Sequence, residues 1–121
     1  MAQILYIDDN EYALRILKLF FEKEGFTVFL AQNTTIGRQI LVNEKIEFII
    51  SDIGLPGENG LQFYDWVKDQ DDYKNIPFLF ASGHAVGYDD KLAEHKNIFM
   101  SKPIFYPDLI KRIKKELYIE S

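Results

Sequence analysis

Four short stretches put reactive side chains where apolar runs end. Asp8-Asp9 follows Ile4-Leu5-Tyr6-Ile7, Ser51-Asp52 follows Phe48-Ile49-Ile50, Ala81-Ser82-Gly83 follows Phe78-Leu79-Phe80, and Ser101-Lys102-Pro103 follows Ile98-Phe99-Met100. Together Asp8, Asp9, Asp52, Ser82 and Lys102 offer carboxylates, a hydroxyl and an ammonium. If the first and third runs are neighbouring strands, the acids converge, and two carboxylates about 4 Å apart repel by about 4 kcal/mol at an effective dielectric of ~20. Either a proton is taken up or a divalent cation sits among them. An all-oxygen ligand set with room for water suits Mg2+. The single ammonium of Lys102 cannot pair with three acids, so a metal fits beside it. Singly, these residues have plainer readings: Asp9 as the N-cap of a following helix, Ser82 as a turn hydroxyl, Lys102 as a surface lysine. Their shared position at the ends of apolar runs argues for a site.

The elements that must hold them are legible from hydrophobic spacing. A fifth apolar run, Val28-Phe29-Leu30, joins the four above, and each reads as a strand buried on both faces. Between the runs lie helical spacings: Ala13, Leu14, Leu17 and Phe21, closed by Gly25; Ile36, Ile40 and Leu41; Leu61, Tyr64 and Val67; and Leu109, Ile110, Ile113 and Leu117, with Pro107 in the first turn. From Ala85 to Lys96 the helical signal is weakest, and Gly87 with Asp89-Asp90 predicts a loop capping a short helix. Alternating strands and helices imply right-handed crossovers and an α/β, doubly wound, five-stranded parallel sheet with helices on both faces. In such sheets ligands bind beyond the carboxyl ends of the strands, where strand order reverses.

Composition narrows the function. A chain of 121 residues, 47% hydrophobic and 27% charged, is the size of one domain with one core, expected over residues 1–121. The net charge of −5 disfavours a general grip on nucleic acid or anionic lipid. Without cysteine there is no disulfide, thiolate metal site or thiol nucleophile. No apolar run approaches the roughly 20 residues needed to span a bilayer, and Met1-Ala2-Gln3 leads straight into an apolar strand without a signal-peptide pattern. The expected compartment is the cytoplasm.

Across essentially its whole length the chain resembles the response regulator receiver domains of two-component signalling, among them the chemotaxis regulators. The resemblance rests on Ile7-Asp8-Asp9-Asn10, on the run from Ser51 to Gly60, on Pro77 to Gly83, and on Ser101-Lys102-Pro103. It implies a flavodoxin-like strand order of 2-1-3-4-5. It also implies that Asp52 is the phosphoacceptor and that Asp8, Asp9, Asp52 and the Gly54 backbone carbonyl hold Mg2+. Ser82 would hydrogen-bond the phosphoryl group and Lys102 would pair with it. The implied donor is a sensor histidine kinase or a histidine phosphotransfer protein. The implied activity is Mg2+-dependent phosphorylation and dephosphorylation of the chain itself rather than conventional turnover.

The resemblance further implies a switch in which Ser82 moves to the phosphoryl group and an aromatic on the fifth strand turns inward. That aromatic is Phe99, where tyrosine is common, so any coupling here is steric; the alternative is that Phe99 is simply core. A cis peptide is expected before Pro103. His84 either overhangs the site or is an exposed loop residue. The usual output face, formed by the helix before the fifth strand, that strand and the last helix, includes the weak 85–96 stretch, so the downstream partner or output domain does not carry over. Lys111-Arg112-Ile113-Lys114-Lys115 reads as cations at a helix C-terminus, or as a docking patch for an acidic partner.

Rival functions fit less well. Haloacid dehalogenase-type phosphotransferases resemble a DxD pattern, but Gly54 stands at the second acid. A flavodoxin-like electron carrier lacks its phosphate loop here, since two acids follow the first strand. Neither G-x-G-x-x-G nor G-x-x-x-x-G-K-[ST] occurs. A receiver-like module that works by docking alone remains the serious rival.

Overall fold

The computed structural model describes residues 2–82, 99–101 and 104–117. In chain order these form β1 (Gln3–Ile7), α1 (Glu11–Lys23), β2 (Thr27–Ala31), α2 (Thr34–Asn43), β3 (Phe48–Asp52), α3 (Gly60–Lys68), β4 (Phe78–Ser82), β5 (Phe99–Ser101) and α4 (Tyr106–Leu117). The five strands make one parallel sheet in the order β2-β1-β3-β4-β5. That order is the one the resemblance implied, and it reverses between β1 and β3. The helix expected between Ala85 and Lys96 lies outside the described residues.

Period-two alternation along the central strands divides the core in two. Ile4 and Tyr6 of β1, Phe48 and Ile50 of β3, and Leu79 and Ala81 of β4 face Leu14, Leu17 and Phe21 of α1 and Leu109 and Ile113 of α4. The intervening Leu5, Ile7, Ile49, Phe78 and Phe80 meet Leu41 of α2 and Leu61, Phe63 and Val67 of α3. Covering both faces is what makes the central strands continuous apolar runs. Edge strand β2 departs from that expectation: Thr27 is exposed and Phe29 and Leu30 are half-buried.

Helix α2 also differs from its expected stripe. Thr34, Gly37 and Leu41 form its buried face, and Ile36 is 37% exposed. Gly37 sits so close to Ile7 that an added Cβ would lie 2.8 Å from Cδ1 of that side chain. A small residue at the contact lets helix and strand approach, which apolar spacing does not register.

Candidate functional site

Strand register sets the site. Ile7 pairs with Ser51 across β1 and β3, so Asp8 and Asp52 emerge at the same level from neighbouring strands. Asp52 pairs in turn with Ala81 on β4, and Ser82 with Ser101 on β5. The carboxyl ends of four strands are thus brought side by side.

Asp8 is fully buried. Its backbone N–H donates to the Ala31 carbonyl at 3.0 Å, which extends the β1–β2 ladder by one step. Its carboxylate accepts from the Tyr6 hydroxyl on Oδ2 at 2.8 Å and from the Asn10 N–H on Oδ1 at 3.0 Å. Burial, with the Asp8 charge adding to it, pushes the Tyr6 hydroxyl well above the ordinary tyrosine range. Tyr6 is therefore a neutral donor at physiological pH.

The N-cap of α1 is Asn10, whose side chain accepts from the N–H groups of Tyr12 and Ala13. The plainer reading of Asp9 as that cap is therefore wrong: Asp9 stands one residue before the cap, exposed, beside Asp8 and Asp52.

Asp52 is the last residue of β3 and is half-buried. The Gly54 N–H donates to its Oδ1 at 3.3 Å, and the buried Ser51 hydroxyl donates to its backbone carbonyl at 2.9 Å. The loop that follows is held at several points. Ile53 and Leu55 are buried, and the Gly60 N–H donates to the Ile53 carbonyl at 2.9 Å. Asn59 and Gln62 form a capping box that starts α3. Gly60 lies so close to the Asp52 carbonyl that a Cβ there would overlap it. From α2, Arg38 grips Glu58 and lies over the Trp66 ring, 4.7 Å from its centroid.

One carboxylate oxygen each from Asp8, Asp9 and Asp52 lie within 4.8 Å of one another. At such a spacing each pair repels by about 3 kcal/mol at an effective dielectric of ~20, and by less where Asp9 meets solvent. Three hard oxygen donors, one of them wholly buried and already oriented by two hydrogen bonds, fit a small divalent cation.

Residues 4–114 match the family of response regulator receiver domains. The chain belongs to that family. It is a receiver domain of two-component signalling. The polar-differentiation response regulator DivK of Brucella anthropi is 26% identical to this receiver over 116 residues, 94% of each chain. Among solved structures, the chemotaxis response regulator CheY4 of Vibrio cholerae superposes with a TM-score of 0.83 at 24% identity, over 97% of this chain and 99% of that one. The signal receiver domain of a signal transduction histidine kinase from Syntrophus aciditrophicus gives 0.88 at 23% identity, over 98% and 91%. These structural likenesses support the receiver fold.

Of the remaining expected site residues, Ser82 closes β4 and Phe99 opens β5. Lys102, Pro103 and His84 lie outside the described residues, and so does the expected cis peptide. In the basic last helix, Lys114 reaches across to Glu24 at the end of α1, at 3.0 Å, in an exposed ion pair between the two helices. Among the described residues no helix is long and apolar enough to cross a membrane.

Sequence reasoning missed the Tyr6 hydroxyl, the Arg38–Glu58 grip and the contact of Gly60 with Asp52. The first had a signal, since residues two apart on a strand share a face. The other two join separate elements and left none.

Proposed function

We propose that this receiver accepts a phosphoryl group on Asp52 from a sensor histidine kinase or a histidine phosphotransfer protein, and signals by a change in its docking surface. The supporting observation is the meeting of Asp8, Asp9 and Asp52 within 4.8 Å at the carboxyl ends of β1 and β3, in a chain of this family. Residues 1–121 act as one domain, in the cytoplasm.

A carboxylate oxygen of Asp52 attacks the phosphorus of the donor. A P–O bond forms, the bond from phosphorus to the donor histidine nitrogen breaks, and that nitrogen keeps the electron pair. The barrier is chiefly charge repulsion between the incoming carboxylate and the phosphoryl oxygens. Mg2+ held by Asp8, Asp9, Asp52 and the Gly54 carbonyl would supply the positive charge that offsets it. Asp52 is aimed by the end of β3 and by the Gly54 N–H. Lys102 pairs with the transferred group and Ser82 hydrogen-bonds to it. Each new phosphoryl oxygen is an acceptor that was not there before, and the movement of Ser82 toward it, with Phe99 following by steric coupling, changes the surface.

Reducing the acyl phosphate with borohydride converts the modified carboxylate to an alcohol, which peptide mass mapping locates. The change is expected at Asp52. Its appearance at Asp8 or Asp9 instead would overturn the assignment.

A further inference from the structure

We propose that Tyr6 is a positioning residue for the divalent cation, fixing the carboxylate of Asp8 through its hydroxyl. The proposal rests on the reading of Asp8, Asp9 and Asp52 as a Mg2+ site.

Tyr6 lies in the interior of β1 and is 1% exposed, with its ring among the side chains of α1 and α4. Phenylalanine would fill that space without bringing a polar atom into it. A buried hydroxyl that lacks a partner is destabilising, so its placement here needs one. Strand alternation supplies it: Tyr6 and Asp8 are two residues apart on one face, and the hydroxyl donates to Oδ2 of Asp8 at 2.8 Å.

The Asn10 N–H holds the other oxygen, Oδ1, at 3.0 Å. The two donors come from different directions, one from within β1 and one from the start of α1. Rotation of the buried carboxylate about its Cβ–Cγ bond would break both bonds. The plane of the carboxylate is therefore set before any cation arrives, and no ordering of this ligand remains to oppose binding. Hydrogen-bond partners behind a metal ligand commonly contribute about 10–100-fold in metal affinity.

The test is Mg2+ binding measured by calorimetry on the native chain, Tyr6→Phe and Tyr6→Leu, alongside the Mg2+ dependence of acetyl phosphate uptake. Tyr6→Phe keeps the ring and loses the hydroxyl. Its dissociation constant for Mg2+ is expected to rise about tenfold, with the half-saturating Mg2+ for phosphorylation rising in step and the plateau rate unchanged. Tyr6→Leu, which also loses the ring, is expected to bind Mg2+ as weakly as the Phe variant. Native affinity in Tyr6→Phe with weakened binding only in Tyr6→Leu would mean that packing, not the hydroxyl, matters, and would overturn the proposal. Native affinity in both variants would overturn it too, while Mg2+ binding by the native chain left the proposed function standing. Absence of Mg2+ binding by the native chain would overturn both.

Discussion

Nη2 of Arg38 donates to both carboxylate oxygens of Glu58 at 2.6 Å each, so α2 holds the loop that leaves Asp52. Both side chains are about two-thirds buried, and the guanidinium also lies over Trp66. Arg38→Ala should cost about 1–2 kcal/mol in urea unfolding, the sum of a shielded ion pair and a cation–π contact. Lys18→Ala, which breaks an exposed pair with Glu22 on α1, should cost about 0.5 kcal/mol or less. Equal costs would show that the grip on the loop adds nothing.

Gly60 has no room for a side chain, because the Asp52 carbonyl and Ile53 Cα occupy the space. The obstacle is backbone, which cannot swing away as a flexible side chain would. Gly60→Ala should lower stability by about 1–3 kcal/mol, and it should slow phosphorylation because relief of the clash moves Asp52. A variant as stable and as quickly phosphorylated as the native chain would contradict this packing.

Asp9 and Asn10 are adjacent but do opposite things. Asn10→Ala removes the cap of α1 and should cost about 1 kcal/mol. Asp9→Asn removes one of the crowded charges and should stabilise the metal-free protein by about 1 kcal/mol, with solvent screening at the exposed residue taken into account. Added Mg2+ should raise the melting temperature of the native chain more than that of Asp9→Asn. Thermal melts with Mg2+ and with chelator would check both signs.

Lys68 on α3 donates to the carbonyls of Lys74 and Ile76, and burial lowers its pKa below the ordinary 10.5. As pH rises toward 10.5, the folded state releases this proton before the unfolded chain does, so the contribution of Lys68 to stability should rise over that window. Measured against Lys68→Gln, the native chain should gain stability with increasing alkalinity until the unfolded chain has also titrated. A difference independent of pH would refute the lowered pKa.

The sheet was legible because its central strands are buried on both faces and appear as unbroken runs such as Phe48-Ile49-Ile50. Asp8, Asp9 and Asp52 were legible because each follows such a run. What the sequence withheld was set by contacts between elements. Ile36 has the spacing of a core residue, yet α2 turns Gly37 to β1. Asp9 has the chemistry of a cap, yet Asn10 takes that place because the helix starts one residue later. Tyr6 reads as a strand aromatic; its two-residue spacing from Asp8 puts both on one face, and the contact of its hydroxyl with Asp8 turns that spacing into a polar role.

Phosphorylation at Asp52 is tested most directly by the intact mass of the native chain and of Asp52→Asn after incubation with acetyl phosphate, with and without Mg2+. A gain of one phosphoryl group is expected in the native chain, dependent on Mg2+ and absent from the variant. An equal gain in Asp52→Asn, or none in the folded native chain with either Mg2+ and acetyl phosphate or a phosphorylated histidine phosphotransfer protein, would contradict it.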